Sequence, residues 1–143
     1  MTREEISALF ERRLEAFNRR DISALGRDLS EDSVVDSPFA GGVTRGRAAI
    51  EDLYRSFFHA FPDAQLRLEE LLIDGARVML LGRLSGTDTG GLLAPPKGRA
   101  YDIALVLSNT FHNGLIVHER RIYDFTGLLV QVGVLRAKPA GGV

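Results

Sequence analysis

Two aspartates and one arginine in the second half of the chain, Asp88, Arg120 and Asp124, are the side chains best suited to acid/base work. A carboxylate set into an apolar wall is desolvated, which raises its pKa toward neutrality and makes it a better base. Asp124 is the first candidate, at the end of the last strand and on the more apolar of its two faces. Arg120 would be the counter-ion of one aspartate, leaving the other free to move a proton. Each also has a plainer role open to it. Asp124 can cap a helix beginning near Phe125, Asp88 can form a turn before Gly90, and Arg120 can be a structural partner. Around them stand Asn109, His118 and Leu107 on the same strands, and Tyr54 and Phe57 on one stripe of a helix. These five are the expected substrate-binding residues. Tyr54 could hydrogen-bond a carbonyl or simply belong to the core, and His118 and Asn109 could equally be solvated.

Other chemistries are excluded or disfavoured. The chain has no cysteine, so disulfides, thiolate metal sites and cysteine nucleophiles are ruled out. No trio of His, Asp and Glu has metal-ligand spacing, so no metal is expected. Gly41-Gly42 and Gly90-Gly91 precede no phosphate-binding helix, which argues against nucleotides. A formal net charge of −1 offers neither nucleic acid nor an anionic membrane a basic surface. No apolar run approaches the roughly 20 residues needed to cross a bilayer. The charged amino terminus leads into an amphipathic pattern rather than a signal core, so a cytoplasmic protein is expected.

The elements that must position these residues can be read from their periods. Thr2 and Glu5 have capping-box spacing, and Ile6, Leu9, Phe10, Leu14 and Phe17 follow on one helical face to about Asn18. Asp21 can cap a short second helix through Leu25, stopped by Gly26. A short extended piece at 33–36 is broken by Pro38 and Gly41-Gly42. A third helix runs from about Arg47 to His59 and is closed by Pro62. From Gln65 the period becomes strand-like. Asp74-Gly75 and Asn113-Gly114, each flanked by apolar and β-branched residues, mark two hairpins with strands near 65–73, 76–88, 100–112 and 115–124. Helices first and antiparallel strands after give an α+β layout.

If Asn113-Gly114 is a two-residue turn, His112 and Leu115 are opposite. Carried onward, that register sets His118 opposite Asn109, Arg120 opposite Leu107 and Asp124 opposite Ile103. All would then share the apolar inner face, with Asp88 on the same side of its own strand. Strand 65–73 shows no clean alternation. The outer face carries Met79, Leu81, Ala104 and Val106, which a homodimer would cover. The segment from Gly90 to Gly98, with Leu92, Leu93, Pro95 and Pro96, is expected to be a lid or rim over a pocket.

Several segments together resemble the SnoaL-like family of polyketide cyclases, within the cystatin-like superfamily that includes nuclear transport factor 2. They are Phe17-Asn18-Arg19-Arg20-Asp21, Arg45-Gly46-Arg47-Ala48-Ala49-Ile50, Ala60-Phe61-Pro62-Asp63 and Gly86-Thr87-Asp88-Thr89-Gly90. Pro95-Pro96-Lys97-Gly98-Arg99, Asn113-Gly114-Leu115-Ile116 and the stretch from Asp124 to Gly133 complete the set. The resemblance implies a cystatin-like cone, a curved antiparallel sheet with three helices packed on its concave face, as one domain over 1–143. It further implies an apolar carbonyl substrate closed by an intramolecular aldol reaction, without metal or cofactor. The family's acid/base aspartate falls on Asp124. Asp88 stands where the family usually has histidine, and Arg120 where an aromatic residue is common. Two alternatives stay open: an epoxide hydrolase using Asp88, Arg120 and Asp124 as in limonene epoxide hydrolase, and a non-catalytic binding protein.

Overall fold

Thr2 opens α1 (Arg3–Asn18) with the reciprocal bonds of a capping box: its hydroxyl accepts from the Glu5 amide, and Glu5 accepts from the Thr2 amide. In this computed structural model, residues 1–141 are described. Asp21 accepts from the Ala24 amide and starts α2 (Ile22–Arg27), which runs through Gly26 rather than stopping there. The chain then forms β1 (Leu29–Ser37), β2 (Gly42–Arg45) and α3 (Arg47–Ala60). β1 is longer than the short extended piece expected at 33–36, and β2 is an additional strand, because Pro38 to Gly41 makes a turn between two strands instead of ending one.

The expected hairpins follow: β3 (Gln65–Asp74) with β4 (Arg77–Thr87), then β5 (Ala100–His112) with β6 (Leu115–Tyr123). Asn113 and Gly114 both have positive φ, 51° and 75°, as a type I′ turn requires. A last helix, α4 (Phe125–Gln131), closes the fold. The six strands lie in the order β2-β1-β6-β5-β4-β3, antiparallel throughout except that β1 runs parallel to β6. Phe61, Ile50, Leu80, Val78, Ile116 and Leu128 form the deepest part of the core between sheet and helices.

Two bulges shape the sheet and decide which side chains look inward. In β3 the register against β4 shifts between Leu68 and Glu70, so the inward set changes from Leu66 and Leu68 to Leu71 and Ile73. Gly82 makes this possible, since a Cβ there would lie 2.4 Å from the Arg67 carbonyl oxygen. The second bulge corrects the expected register of β6. His112 and Leu115 pair, as do Phe111 and Ile116, but the next pair is Thr110 with His118. One extra residue at Val117 inverts every later side chain. Leu107 therefore faces Arg121, Asn109 faces Glu119, and Leu105 faces Tyr123.

The 88–99 segment is held down rather than poised. The Gly90 amide donates to Ala60 O at 3.1 Å, Gly98 to Asp88 O at 3.0 Å, and Lys97 Nζ to Gly133 O at 2.8 Å. Leu92 is buried in the core.

Candidate functional site

Between the concave face of the sheet and α1 to α3 lies a cavity walled mainly by apolar side chains. Phe10, Leu14 and Phe17 come from α1, Tyr54 and Phe57 from α3, and Leu66, Leu80, Leu84, Leu105 and Leu107 from the sheet. Its volume is ≈ 70 Å³, enough for a few water molecules. A ring-sized guest would need side chains to move. Phe39 is the lining residue carried on a turn rather than on a helix or strand, half-buried and edge-on to Phe57 and Phe125. It is the natural one to give way.

The polar part of the wall is concentrated on β6, with contributions from α1, α3 and β1. Glu119 is buried and Arg121 half-buried, and Arg121 Nε donates to Glu119 Oε1 at 2.5 Å. The Arg121 guanidinium lies 4.8 Å from the centre of the Tyr54 ring, in cation–π range. Burial alone would lower its pKa, but neighbouring Tyr54 and Glu119 outweigh that and hold it above its ordinary value. It stays a cation.

On the opposite side Arg13, also buried, donates to Leu25 O at 2.8 Å and to Asp28 Oδ2 at 3.2 Å. Its other nitrogen donates to the Tyr54 hydroxyl at 3.4 Å. That leaves the Tyr54 proton free to be donated elsewhere. Tyr123 and Ser37 complete the polar lining, and burial raises the Tyr123 phenol, so it too is a neutral donor. Such a wall can take a carbonyl oxygen, supply it with hydrogen-bond donors and present a carboxylate beside it.

The residues expected from sequence divide into two groups. Tyr54, Phe57 and Leu107 line the cavity. Asn109 is fully buried opposite Glu119. His118 and Arg120 are exposed, since the Val117 bulge turns them to the outer face. Asp124 is exposed at the N-cap of α4, accepting from the Gly127 amide at 2.8 Å. Asp88 is buried, but it accepts from the Gly91 amide at 3.0 Å at the head of the 88–99 segment. Asp88, Arg120 and Asp124 are not among the residues that line the cavity, and the shared inner face expected of them is corrected by the bulge. No residue of 90–98 lines it either, so that segment is not a lid over this cavity.

Glu119, Arg121 and Tyr123 were hidden by one residue of register. Arg13 had a visible signal: an arginine three residues after Phe10 and four before Phe17 sits on the apolar stripe of α1.

The cap can be tested directly. Asp124→Asn keeps an equally good N-cap and should change stability by only a few tenths of a kcal/mol, whereas Asp124→Ala should cost about 1 kcal/mol. Urea unfolding of both variants reads the difference. Equal losses would mean that the charge, rather than the cap bond, matters there.

A family model for SnoaL-like polyketide cyclases matches residues 8–132. Among solved structures, AclR from Streptomyces galilaeus, described as a candidate hydroxylase, is 27% identical with a TM-score of 0.83, covering 96% of this chain and 91% of its own. TsrD from Streptomyces laurentii is 26% identical with a TM-score of 0.83, covering 94% and 99%. A candidate polyketide cyclase from Xanthomonas campestris pv. campestris is 25% identical with a TM-score of 0.80, covering 91% and 98%. No curated protein matches the chain.

Proposed function

The chain belongs to the SnoaL-like polyketide cyclase family, and from that premise we propose that it performs acid/base chemistry on an apolar carbonyl compound held in the cone cavity. The observation that carries this reading is the Glu119–Arg121 pair, its carboxylate buried and its guanidinium half-buried, on a mainly apolar wall. Glu119 takes a proton from carbon next to the substrate carbonyl. Arg121, Tyr54 and Tyr123 donate to the oxygen on which negative charge then develops, inside a site of low polarity where such donors count most. The resulting nucleophilic carbon closes a ring onto a second carbonyl of the same molecule, and the alkoxide formed there takes the proton back from Glu119, an intramolecular aldol step needing no electron carrier. Asp124, the position favoured by family resemblance, acts here as a helix cap. The Asp88, Arg120 and Asp124 set of an epoxide hydrolase lacks support, because the three residues stand at separate places.

The test is exchange of substrate α-hydrogens in D₂O, followed by NMR, with a panel of keto esters that carry a second carbonyl within ring-closing reach. Protein-dependent exchange, with a ring-closed product by mass spectrometry, is expected. Absence of exchange across the panel would remove the acid/base reading and leave binding alone. The likeness to AclR favours a second reading, hydroxylation, in which dioxygen supplies the oxygen atom added to the substrate and an external two-electron reductant carries the other oxygen atom to water.

We also propose that the protein is a homodimer through the outer sheet face. Leu72, Met79, Leu81 and Ile122 are exposed there, Met79 by 43% and Ile122 by 49%. Light scattering should give twice the chain mass at micromolar concentration, and Leu81→Glu should shift it to monomer by placing an unpaired charge in the interface. A wild-type monomer would refute the dimer.

A further inference from the structure

The sheet is left open where β1 ends. Its last pairing with β6 is Asp36 with Arg120, and the strand stops at Ser37, while β6 runs on to Tyr123 held by β5 alone. Beside that free edge lies a second pocket, of ≈ 250 Å³. Asp36, Ser37 and Pro38 line it from β1 and the turn that follows, and Arg120 to Tyr123 line it from β6. Ser37, Arg121 and Tyr123 line the cone cavity as well, so these side chains form a partition between the two spaces.

That partition is short of acceptors. Arg121 Nε serves Glu119 and the guanidinium rests on Tyr54, yet Nη2 is buried with no hydrogen-bond partner. Ser37 is 1% exposed, and its Oγ is also buried without a partner. Buried donors left unpaired are costly, a charged one most of all. An acceptor oxygen in the pocket would answer both. Arg120 decides what charge that oxygen should carry. The charge of Arg121 is already balanced by Glu119. Arg120 is exposed, and among the described residues neither it nor Asp36 makes an ion pair.

We propose that the pocket is a subsite for a ligand carboxylate, the charged end of a molecule whose apolar body lies in the cone cavity. The carboxylate accepts from Arg121 Nη2 and Ser37 Oγ and takes Arg120 as its counter-ion. A guanidinium has five N–H groups, so Arg121 can serve Glu119, a carbonyl in the cavity and a carboxylate in the pocket together. Asp36 is the acidic residue of the lining and opposes the anion. The turn after β1 joins the two spaces: Pro38 lines the pocket and Phe39 the cavity, so a ring that displaces Phe39 enters beside the subsite. The inference rests on the reading of the cavity as the ligand site. It narrows the preferred ligands to apolar carbonyl compounds that carry a free carboxylate.

4-Oxo-4-phenylbutanoate and its primary amide are alike in shape and differ by one charge at neutral pH. Calorimetric titration of the wild-type protein with each tests the subsite, and backbone-amide NMR locates the bound compound. The acid should bind more tightly than the amide by about tenfold, the worth of a charge-assisted hydrogen bond. Arg120→Gln should remove that preference and leave the amide within about twofold. Asp36→Asn should tighten the acid alone by several-fold, and a merely structural role for the two residues would not move the acid in opposite directions. Equal binding of acid and amide, or a preference that survives Arg120→Gln, would overturn the carboxylate subsite and leave the cavity as the ligand site. Acid binding that shifts signals at 36–38 and 120–123 but none on α1 or α3 would overturn the ligand that spans both spaces. If neither compound binds while the keto esters of the exchange assay do, the subsite is wrong and the cavity reading stands. If none of them binds, both fall.

Discussion

Glu119→Gln should slow α-hydrogen exchange of a bound substrate by on the order of a hundredfold to ten-thousandfold, the usual worth of a positioned general base. The substitution keeps the shape of the side chain and, through its amide oxygen, an acceptor for Arg121 Nε, which Glu119 now engages at 2.5 Å. What it removes is the ability to take a proton. The loss should therefore appear in kcat, with KM changed far less, because the apolar walls that hold the substrate are untouched. Asp124→Asn is the paired control. Its carboxylate is exposed and bonded to the Gly127 amide, so exchange should stay near the wild-type rate. The opposite pattern, a slow Asp124→Asn and an active Glu119→Gln, would return the chemistry to the end of β6 and require α4 to open.

That contrast turns on what could be read from the residues before the fold was known. The helices were legible because their signals are local: the Thr2–Glu5 capping box, the aromatic stripe of α3, and Pro62 beyond its end. Both hairpins were legible because Asn113 and Gly114 in one turn, and Gly75 in the other, supply the positive φ that tight turns demand. The pairing nearest the Asn113-Gly114 turn followed from that turn alone, and it is correct for His112 with Leu115 and Phe111 with Ile116.

Nothing local marks Val117 as the site of a bulge. A valine fits a regular strand and a bulged one equally well, and the register of β1 against β6 shifts over the same stretch, from Leu29 with Ile116 to Val34 with His118. Because side chains alternate, that single residue exchanged Arg120, His118 and Asp124 for Glu119, Arg121 and Tyr123. The irregular pattern of β3 has the same origin. Its apolar residues switch from Leu66 and Leu68 to Leu71 and Ile73 across a bulge, so neither parity is clean along its whole length. Here an irregular pattern was itself the signal. The segment around Leu92 misled for another reason: apolar residues in a loop can cover a core as readily as a pocket, and Leu92 is buried in the core.

The stability of the protein should respond to the same pair in a way that separates chemistry from folding. Glu119→Leu is expected to destabilise the fold by about 3–5 kcal/mol, because it strands the Arg121 cation inside the wall. Arg121→Met should also cost several kcal/mol, for the converse reason that the Glu119 carboxylate loses its cation. The double variant Glu119→Leu with Arg121→Met should not add these losses. With both charges gone and the volume filled, it should lie near the wild type or be more stable by about 1–4 kcal/mol, as found when buried ion pairs are replaced by packed apolar residues. Urea unfolding of the four proteins gives the coupling energy, provided the denaturant slopes agree and the transition stays two-state. Additive losses would mean that the two side chains do not depend on one another and that their ion pair is not a working unit. A strong coupling with a stable double variant means the fold would be as well served by an apolar wall. A pair that costs stability and remains in the sequence must then be kept for what it does to a ligand.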